Sequence, residues 1–191
     1  MHAWLFVLAF LLASSNAVAQ TTAPRTPVSD PFANGSWQLE LTGHTAIETW
    51  NYNISHEEMY GGFAGLTYGL RDGLALALTA PLYYVAQRGV DGWLLGATFG
   101  VRGRVYRRSA TSVFLGFEVG VSEADTFVPP RGTRFNYLAL GSAGVAVRLR
   151  PRVHLLAALK WVHVSNNGLA GRQRNPDIEA VGPQVGVLIA F

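Results

Sequence analysis

The sequence is poor in the residue types on which most soluble domains depend. It has no cysteine, which excludes a disulfide framework and any thiolate metal site. Only 14% of its 191 residues are charged, although a globular chain normally has about a quarter, and Lys160 is its one lysine. A surface with so few charges cannot be fully hydrated. We therefore expect part of it to face lipid.

Long apolar runs are also missing beyond the amino terminus. A membrane-spanning helix needs about 18 or more consecutive apolar residues. The longest uncharged stretch, Gly73 to Gln87, is shorter and contains Pro81. The sequence therefore excludes a bundle of membrane helices, and its length suits one domain.

Basic residues slightly exceed acidic ones, which gives a formal net charge of +3. All of the basic residues except Lys160 are arginines, scattered singly or in pairs. Because there is no basic block, we do not expect nucleic acid as a partner.

The amino terminus has the layout of a targeting segment. Residues 1–19 contain an apolar core followed by small residues that end in Ala-Val-Ala, which predicts a secretory signal peptide cleaved before Gln20. No Lys or Arg precedes the apolar core, so a retained anchor is the competing interpretation. Residues 20–35 are rich in Thr and Pro and predict a flexible lead-in. Residues 36–191 then form the ordered domain.

From Trp37 onward, apolar residues recur at every second position, which is the period of a β-strand and not of a helix. Eight such segments follow one another, at residues 36–47, 57–70, 73–87, 92–107, 111–122, 134–150, 152–165 and 178–191. They are longer than the five or six residues typical of soluble sheets. Their length suits tilted strands that cross a bilayer.

An even number of antiparallel strands can close into a barrel without a free edge. A bilayer requires this closure because it offers backbone groups no water. A soluble barrel of the lipocalin type would need many Lys and Glu residues on its outer face, which a chain with one lysine cannot supply. The predicted fold class is therefore all-β, an eight-stranded antiparallel transmembrane β-barrel of the outer-membrane type, in the outer membrane of a Gram-negative cell.

The last segment alternates apolar residues and ends on Phe191. This pattern resembles the carboxy-terminal signal by which Gram-negative outer-membrane proteins are delivered to the barrel assembly machinery, so we expect that machinery as a partner. An ordinary amphipathic strand is the alternative interpretation.

Several charged residues within the segments alternate with the outward apolar residues, so they point to the opposite, inner face. Small eight-stranded barrels are filled by their own side chains, so we expect these residues to form a buried ion network inside the barrel. They are Glu40, Arg102, Arg104, Glu118, Arg148 and Lys160.

Two polar residues interrupt the apolar face at the end of the seventh segment. His163 and Ser165 have the same parity as Trp161 and therefore point outward. Residues opposite each other in an antiparallel hairpin have a constant index sum, so a loop centred near Gly171 places Glu179 beside His163. A hydroxyl, an imidazole and a carboxylate in this order form an activated serine nucleophile. The alternative is that the polar pair marks the exit of the strand into solvent.

Hydrogen-bond donors lie close to the candidate nucleophile. Asn166 and the backbone N–H of Gly168 follow it directly, and donors of this kind stabilise a developing oxyanion.

No metal-ligand pair has a recognised spacing and no glycine-rich nucleotide loop is present, so we expect neither a metal nor another cofactor.

The segment from His163 to Leu169, His-Val-Ser-Asn-Asn-Gly-Leu, precedes Asn-Pro-Asp-Ile-Glu at 175–179 and a terminal strand. This arrangement resembles the lipid A 3-O-deacylase (PagL) family of outer-membrane esterases, which has a His-x-Ser-Asn motif and a later Glu. The likeness covers residues 163–191, and the rest of the chain agrees in architecture alone. The roles of Asn175 and Asp177 stay open.

The resemblance implies hydrolysis of the ester-linked acyl chain at position 3 of lipid A. Ser165 is then the nucleophile, His163 its base and Glu179 the group that orients the base. The resemblance places Asn166 and Gly168 at the oxyanion. It also implies that the substrate is lipopolysaccharide, which lies among the lipids of the outer membrane.

Four arginines in or beside the outer loops are candidates for pairing with lipid A phosphates, with solvated loop charges as the alternative for each. They are Arg131, Arg134, Arg172 and Arg174.

Whether the chain forms a homodimer is open. Two other functions also stay open: a non-catalytic barrel acting as an anchor, adhesin or small-solute channel, and a lipid-modifying enzyme of another specificity, such as a phospholipase or an acyltransferase.

Overall fold

The computed structural model describes residues 30–49 and 56–191. These residues form a short 3₁₀ helix, Arg172–Arg174, and eight β-strands: β1 Trp37–Glu48, β2 Glu58–Arg71, β3 Leu74–Ala86, β4 Gly92–Arg108, β5 Thr111–Val128, β6 Thr133–Arg150, β7 Val153–Ser165 and β8 Ile178–Ala190. Each strand pairs antiparallel with the next, and β1 pairs with β8, so the sheet closes. The predicted eight-stranded antiparallel barrel is confirmed. Within the described ranges, no helix is long and apolar enough to cross a membrane.

The two ends of the barrel differ in their connections. The end that carries Trp37 and Phe191, here the terminal end, also has the three two-residue turns Asp72-Gly73, Ser109-Ala110 and Pro151-Arg152. Gly73 has φ +84°, a conformation that glycine adopts without steric strain. The opposite end, here the loop end, carries the longer connections, as the outer-membrane pattern predicts.

The outer face of the wall is apolar because alternate residues of a strand point to opposite sides. Exposed and buried residues alternate along β1 from Trp37 to Ala46. At mid-height the outward side chains are large and apolar, and Leu78, Phe99 and Leu159 are each more than half exposed. An apolar band of this kind is favourable in contact with hydrocarbon and unfavourable in contact with water.

Aromatic side chains border this apolar band at both ends. The exposed aromatic residues near the loop end include Tyr60, Trp93, Phe135 and Tyr137, and those near the terminal end include Trp37, Tyr106 and Phe191. Membrane proteins concentrate aromatic residues at the two interfaces of the bilayer. The belts therefore indicate how the barrel sits across a membrane.

The interior has a polar layer between two apolar clusters. The cluster toward the loop end contains Met59, Tyr83 and Leu138, and the cluster toward the terminal end contains Phe114 and Leu156. Charged and hydroxyl side chains fill the level between them. Side chains occupy all three levels, which agrees with the small interior of an eight-stranded barrel.

The polar layer is an ion-pair network. The Arg102 guanidinium lies 2.9 Å from the Glu40 carboxylate, and Lys160 Nζ lies 3.4 Å from Glu118 Oε1. The hydroxyl of Thr98 donates to Glu118 Oε2 over 2.8 Å. Buried charges need paired and hydrogen-bonded partners of this kind. The predicted network is confirmed for these four charged residues.

Two of the six charged residues expected in this network lie elsewhere. Arg104 pairs with Asp30, which precedes β1, at 2.6 Å. Arg148 is exposed near the terminal end, two residues before β6 ends. Parity assigned these residues to the inner face correctly, but parity does not show how far along the barrel axis a residue lies.

Residues 30–35 form a plug at the terminal end, where the sequence predicted a flexible lead-in through residue 35. Phe32 is 1% exposed and its ring centroid lies 6.0 Å from that of Phe114. The Gly73 N–H donates to the Phe32 carbonyl over 2.9 Å, and the Gly35 N–H donates to the Gly69 carbonyl over 2.8 Å. Burial of Phe32 and these hydrogen bonds order a segment whose composition alone suggests flexibility. The predicted signal peptide and residues 20–29 lie outside the described residues.

A salt bridge holds the plug in place. Asp30 lies within 3 Å of both the Arg104 and the Arg107 guanidinium groups. Burial alone would raise the pKa of the Asp30 carboxyl, but hydrogen bonds from Arg104 and the Phe32 N–H, with the charges of both arginines, lower it overall. The ionised carboxylate therefore stabilises the folded chain.

The connection between β5 and β6 differs from its predicted form. The fifth segment of the sequence was predicted to end at residue 122, but β5 extends to Val128 and pairs there with Thr133 after an irregularity in register. The turn contains a cis peptide bond before Pro129. Alternation is weaker beyond the membrane band because neither face of the hairpin is lipid-exposed there, so the sequence does not show the extension.

The apolar band predicts a depth-dependent response to charge. Ala97→Arg places a guanidinium on the outer face of β4 and should lower the free energy of unfolding by about 2 to 4 kcal/mol. Val105→Arg, on the same strand near the terminal end, should lower it by about 0 to 1 kcal/mol. Urea unfolding in lipid vesicles measures both values. Equal losses at the two positions would contradict the proposed membrane band.

The salt bridge of the plug predicts a pH-dependent stability. Asp30→Asn should lower the unfolding temperature at neutral pH, whereas Glu123→Gln, in an exposed ion pair with Arg134 near the loop end, should leave it nearly unchanged. Because the folded pKa of Asp30 is lowered, its contribution is present above the ordinary carboxyl pKa and is lost as pH falls through the folded value. The difference between Asp30→Asn and the unaltered chain should therefore shrink below about pH 3.8. Thermal unfolding followed by circular dichroism checks this, and a difference that does not narrow as the pH is lowered would contradict the assignment.

Candidate active site

The candidate site lies where β7 and β8 meet near the loop end. Their register pairs Trp161 with Val181 and His163 with Glu179. The pairing of His163 with Glu179, predicted from the index sum of the hairpin, is confirmed. Both side chains lie on the outward face because they share the parity of the lipid-facing residues of their strands.

Three side chains form a continuous chain of hydrogen bonds. His163 Nδ1 lies 2.7 Å from Glu179 Oε1, and His163 Nε2 lies 2.9 Å from Ser165 Oγ. In the tautomer with hydrogen on Nδ1, the imidazole donates to the carboxylate and accepts from the serine hydroxyl. This is the arrangement in which a histidine can remove a serine proton and a carboxylate can stabilise the resulting imidazolium.

The three groups differ in their accessibility. The side chains of His163 and Glu179 are 26% and 21% exposed, but Ser165 is only 7% exposed. The sequence predicted that the three groups share one outward patch, and the structure shows that Ser165 is more enclosed than the other two. Ser165 is the last residue of β7 and pairs with Tyr137 on β6, and the adjoining Asn166 is 1% exposed.

Trp161 also belongs to the site, although its sequence position predicted only that it lies on the outward face. Its indole N–H donates to Glu179 Oε2 over 2.6 Å. Its ring lies nearly parallel to the His163 imidazole, with an interplanar angle of 22° and centroids 6.0 Å apart. The available signal was its position two residues before His163 on the same face. That spacing makes it a diagonal cross-strand neighbour of Glu179.

Asn166 organises the loop that follows Ser165. Its side-chain nitrogen donates to the Arg174 carbonyl, and its Oδ1 accepts the Gly168 N–H over 2.9 Å. The Gly168 N–H, a predicted oxyanion donor, is therefore already used in the loop. An amide nitrogen carries two hydrogens, so the nitrogen of Asn166 has a second one to donate. The oxyanion roles of Asn166 and Gly168 stay predictions.

A metal ion has one geometrically conceivable position at this site. His163, Asp177 and Glu179 offer ligand atoms that lie within 4.8 Å of one another. The His163 nitrogen and both Glu179 oxygens already form the hydrogen bonds described above. An ion would have to replace those bonds, so the donor set fits the hydrogen-bonded chain better than it fits a metal.

The predicted arginines differ in their relation to the site. Arg174 is linked to Asn166 through its carbonyl, and its guanidinium lies 5.5 Å from the centroid of the Phe127 ring. Arg134 lies 3.5 Å from a Glu123 carboxylate oxygen, and Arg131 is exposed in the β5–β6 turn. Of these three, Arg174 is the one that the described contacts connect to the loop after β7. The side chain of Arg172, the fourth predicted arginine, lies outside the part of the chain that the structure describes.

No protein-family model matches the sequence, and no curated protein matches it either. Among solved structures, the crystal structure of the outer membrane protein OprG from Pseudomonas aeruginosa is similar, with a TM-score of 0.55 and 14% sequence identity. The match covers 84% of this chain and 97% of that chain. At this identity the likeness shows the fold alone. The chain therefore has the fold of an eight-stranded outer-membrane barrel.

The contacts of Asn166 predict how the loop responds to substitution. Asn166→Ala removes both hydrogen bonds and should make the chain more sensitive to trypsin at Arg174, while the barrel stays folded. Leu169→Ala is the matched control, because Leu169 lies in the same loop with its side chain exposed. Equal trypsin sensitivity of the two variants would show that Asn166 does not hold the loop.

Proposed function

We propose that this chain is an outer-membrane esterase that removes the 3-O-linked acyl chain of lipid A. The observation that carries the proposal is the hydrogen-bonded chain from Glu179 through His163 to Ser165, with distances of 2.7 and 2.9 Å. An anchor or a structural barrel has no use for a serine, a histidine and a carboxylate aligned in this way on its outer face.

The geometry supports a two-step acyl transfer. Ser165 Oγ attacks the ester carbonyl as His163 Nε2 takes its proton, and Glu179 stabilises the imidazolium. The imidazolium then gives the proton to the departing sugar oxygen, which leaves an acyl group on Ser165. A water activated by the same histidine hydrolyses this second ester and releases a 3-hydroxy fatty acid. No cofactor takes part in either step.

The oxyanion of the tetrahedral intermediate needs donors already in place. The second amide hydrogen of Asn166 is the candidate donor beside Ser165. Gly168 supports this role, because its N–H donates to the side-chain oxygen Oδ1 of Asn166 and so fixes the direction of the side-chain amide. This assignment changes the expected role of Gly168 from a direct donor to a residue that orients Asn166.

The position of the site suits a substrate that lies in the membrane. The site is on the outer wall at the loop end, at the level of the aromatic residues Trp93 and Tyr137. With both chain termini on the periplasmic side of a Gram-negative outer membrane, the loop end lies in the outer leaflet, where lipid A is found. A lipid then reaches Ser165 sideways along the wall. Arg174 is the candidate partner for a lipid A phosphate.

A non-catalytic barrel is the second candidate. Its support is the structural comparison, because the likeness to OprG extends over most of this chain and lends no support to catalysis. A lipid-modifying enzyme of another specificity would use the same three residues. Lipid A is preferred over other esters because of the motif resemblance at residues 163–191, not because of the triad geometry.

Substitution of the triad tests the proposal. Ser165→Ala and His163→Ala should each abolish release of a 3-hydroxy fatty acid, and the double variant should be no worse, because residues that act as one unit are not additive. Glu179→Ala should retain more activity, since it orients the imidazole and takes no part in bond making. Asn166→Ala should lower turnover by about 10²- to 10³-fold. Mass spectrometry of lipid A from a Gram-negative host that expresses each variant measures the loss of one hydroxyacyl chain.

Each variant is first checked for the gel shift of a folded barrel on heating. A folded, membrane-inserted unaltered chain that leaves lipid A unchanged would favour the non-catalytic barrel. Cleavage of phospholipid esters instead would assign a different substrate to the same triad. Activity in the purified protein should persist in EDTA, and its loss with recovery on adding a divalent cation would move His163, Asp177 and Glu179 to a metal site.

A further inference from the structure

The indole of Trp161 is bound into the site at two points. Its N–H donates to Glu179 Oε2 over 2.6 Å while the other carboxylate oxygen, Oε1, faces His163 Nδ1 at 2.7 Å. Its ring plane lies 22° from that of the His163 imidazole. One side chain therefore binds the carboxylate of the proposed triad and lies beside its base.

The neighbouring strand leaves room for this position of the ring. Gly141 on β6 is the cross-strand partner of Trp161. A Cβ built on Gly141 would lie 3.4 Å from Trp161 Cε3, which is ordinary contact. A methyl group would fit there, but a branched side chain would meet the ring. The indole extends from this gap on β6 to the carboxylate on β8.

Other outward tryptophans of the barrel are placed differently. Trp37 packs against Tyr68 with centroids 4.8 Å apart, and Trp93 packs against Tyr84 at 5.4 Å. Both are about half exposed. They have the environment of ordinary belt residues, whose indole N–H groups suit the interface between lipid and water. The Trp161 N–H is instead bound to a carboxylate that the mechanism uses.

We infer that Trp161 is a positioning residue of the proposed esterase, acting through Glu179. This inference rests on the proposed function. A carboxylate at the end of a Glu side chain has three rotatable bonds and two equivalent oxygens. The indole N–H fixes one oxygen, so the other stays directed at His163 Nδ1 and the imidazole keeps its Nε2 on Ser165. The indole ring lies beside the imidazole on its membrane-centre side and nearly parallel to it.

The test uses a probe that does not depend on the identity of the substrate. A long-chain alkyl fluorophosphonate labels an activated serine, and its rate constant of inactivation can be separated from the concentration that gives the half-maximal rate. Trp161→Phe keeps an aromatic ring and removes the N–H. It should lower the rate constant by about 10- to 100-fold, with little change in the half-maximal concentration. Trp93→Phe, the matched belt control, should label at the unaltered rate.

A double substitution separates positioning from a merely structural role. In the Glu179→Ala background, Trp161→Phe should have no further effect on labelling, because the group through which it acts is gone. Gly141→Leu should slow labelling by displacing the ring, and Gly141→Ala should not. All variants are compared after the gel shift on heating confirms a folded barrel, and the Gly141 pair provides the test if Trp161→Phe does not fold.

The outcomes distinguish the inference from the function on which it rests. An unaltered, folded chain that the fluorophosphonate does not label at Ser165 would overturn the proposed function and the inference with it. An unaltered chain that labels, together with a Trp161→Phe variant that labels equally fast, would overturn the inference alone. An undiminished effect of Trp161→Phe in the Glu179→Ala background would also overturn it, because the effect would then not pass through Glu179.

Discussion

The structure depends on the requirement that backbone N–H and C=O groups in hydrocarbon find partners within the protein. In this chain the requirement is met by closure of the sheet, with β1 paired to β8. Closure fixes the register of every strand against two neighbours, so a slip in one hairpin would disrupt the next. The register that results is also the register that places His163 opposite Glu179. Folding and assembly of the site are therefore one event.

Closure also divides the polar residues of the chain into two sets with different consequences. The inward charges lie between two apolar clusters, where Glu40, Arg102, Glu118 and Lys160 balance one another. These groups stabilise a filled interior. The outward polar groups are few and lie near the loop end, where burial of a charge in lipid is less unfavourable. The outward position near the interface gives a membrane lipid direct access to polar side chains, which the filled interior does not.

The proposed chemistry uses a property that the apolar wall provides. Trp161 and the lipid that surrounds it lower the local polarity, which strengthens the interaction between His163 and Glu179 relative to the same pair in water. The enclosed position of Ser165 further limits access of water. The loop that begins at Asn166 adjoins Ser165 at the loop end, and the hydrogen bond from Asn166 to the Arg174 carbonyl holds its two halves together. Wall, belt and loop thus each contribute one side of the site.

The sequence by itself determined the number of strands, their approximate bounds, the faces of their residues and the pairing of His163 with Glu179. All of these follow from a period of two and a constant index sum, which are properties of any antiparallel strand pair. The extension of β5 to Val128 did not follow, because alternation weakens outside lipid.

Only the tertiary structure decided the features that depend on distances between side chains. The order of residues 30–35 depends on the burial of Phe32 inside the barrel. The hydrogen bond of Trp161 depends on rotamers and on the gap at Gly141, and the use of the Gly168 N–H depends on the turn after β7. Parity places a residue on a face, but three-dimensional packing decides which groups on that face meet, because side-chain directions and loop conformations are set by contacts distant in sequence.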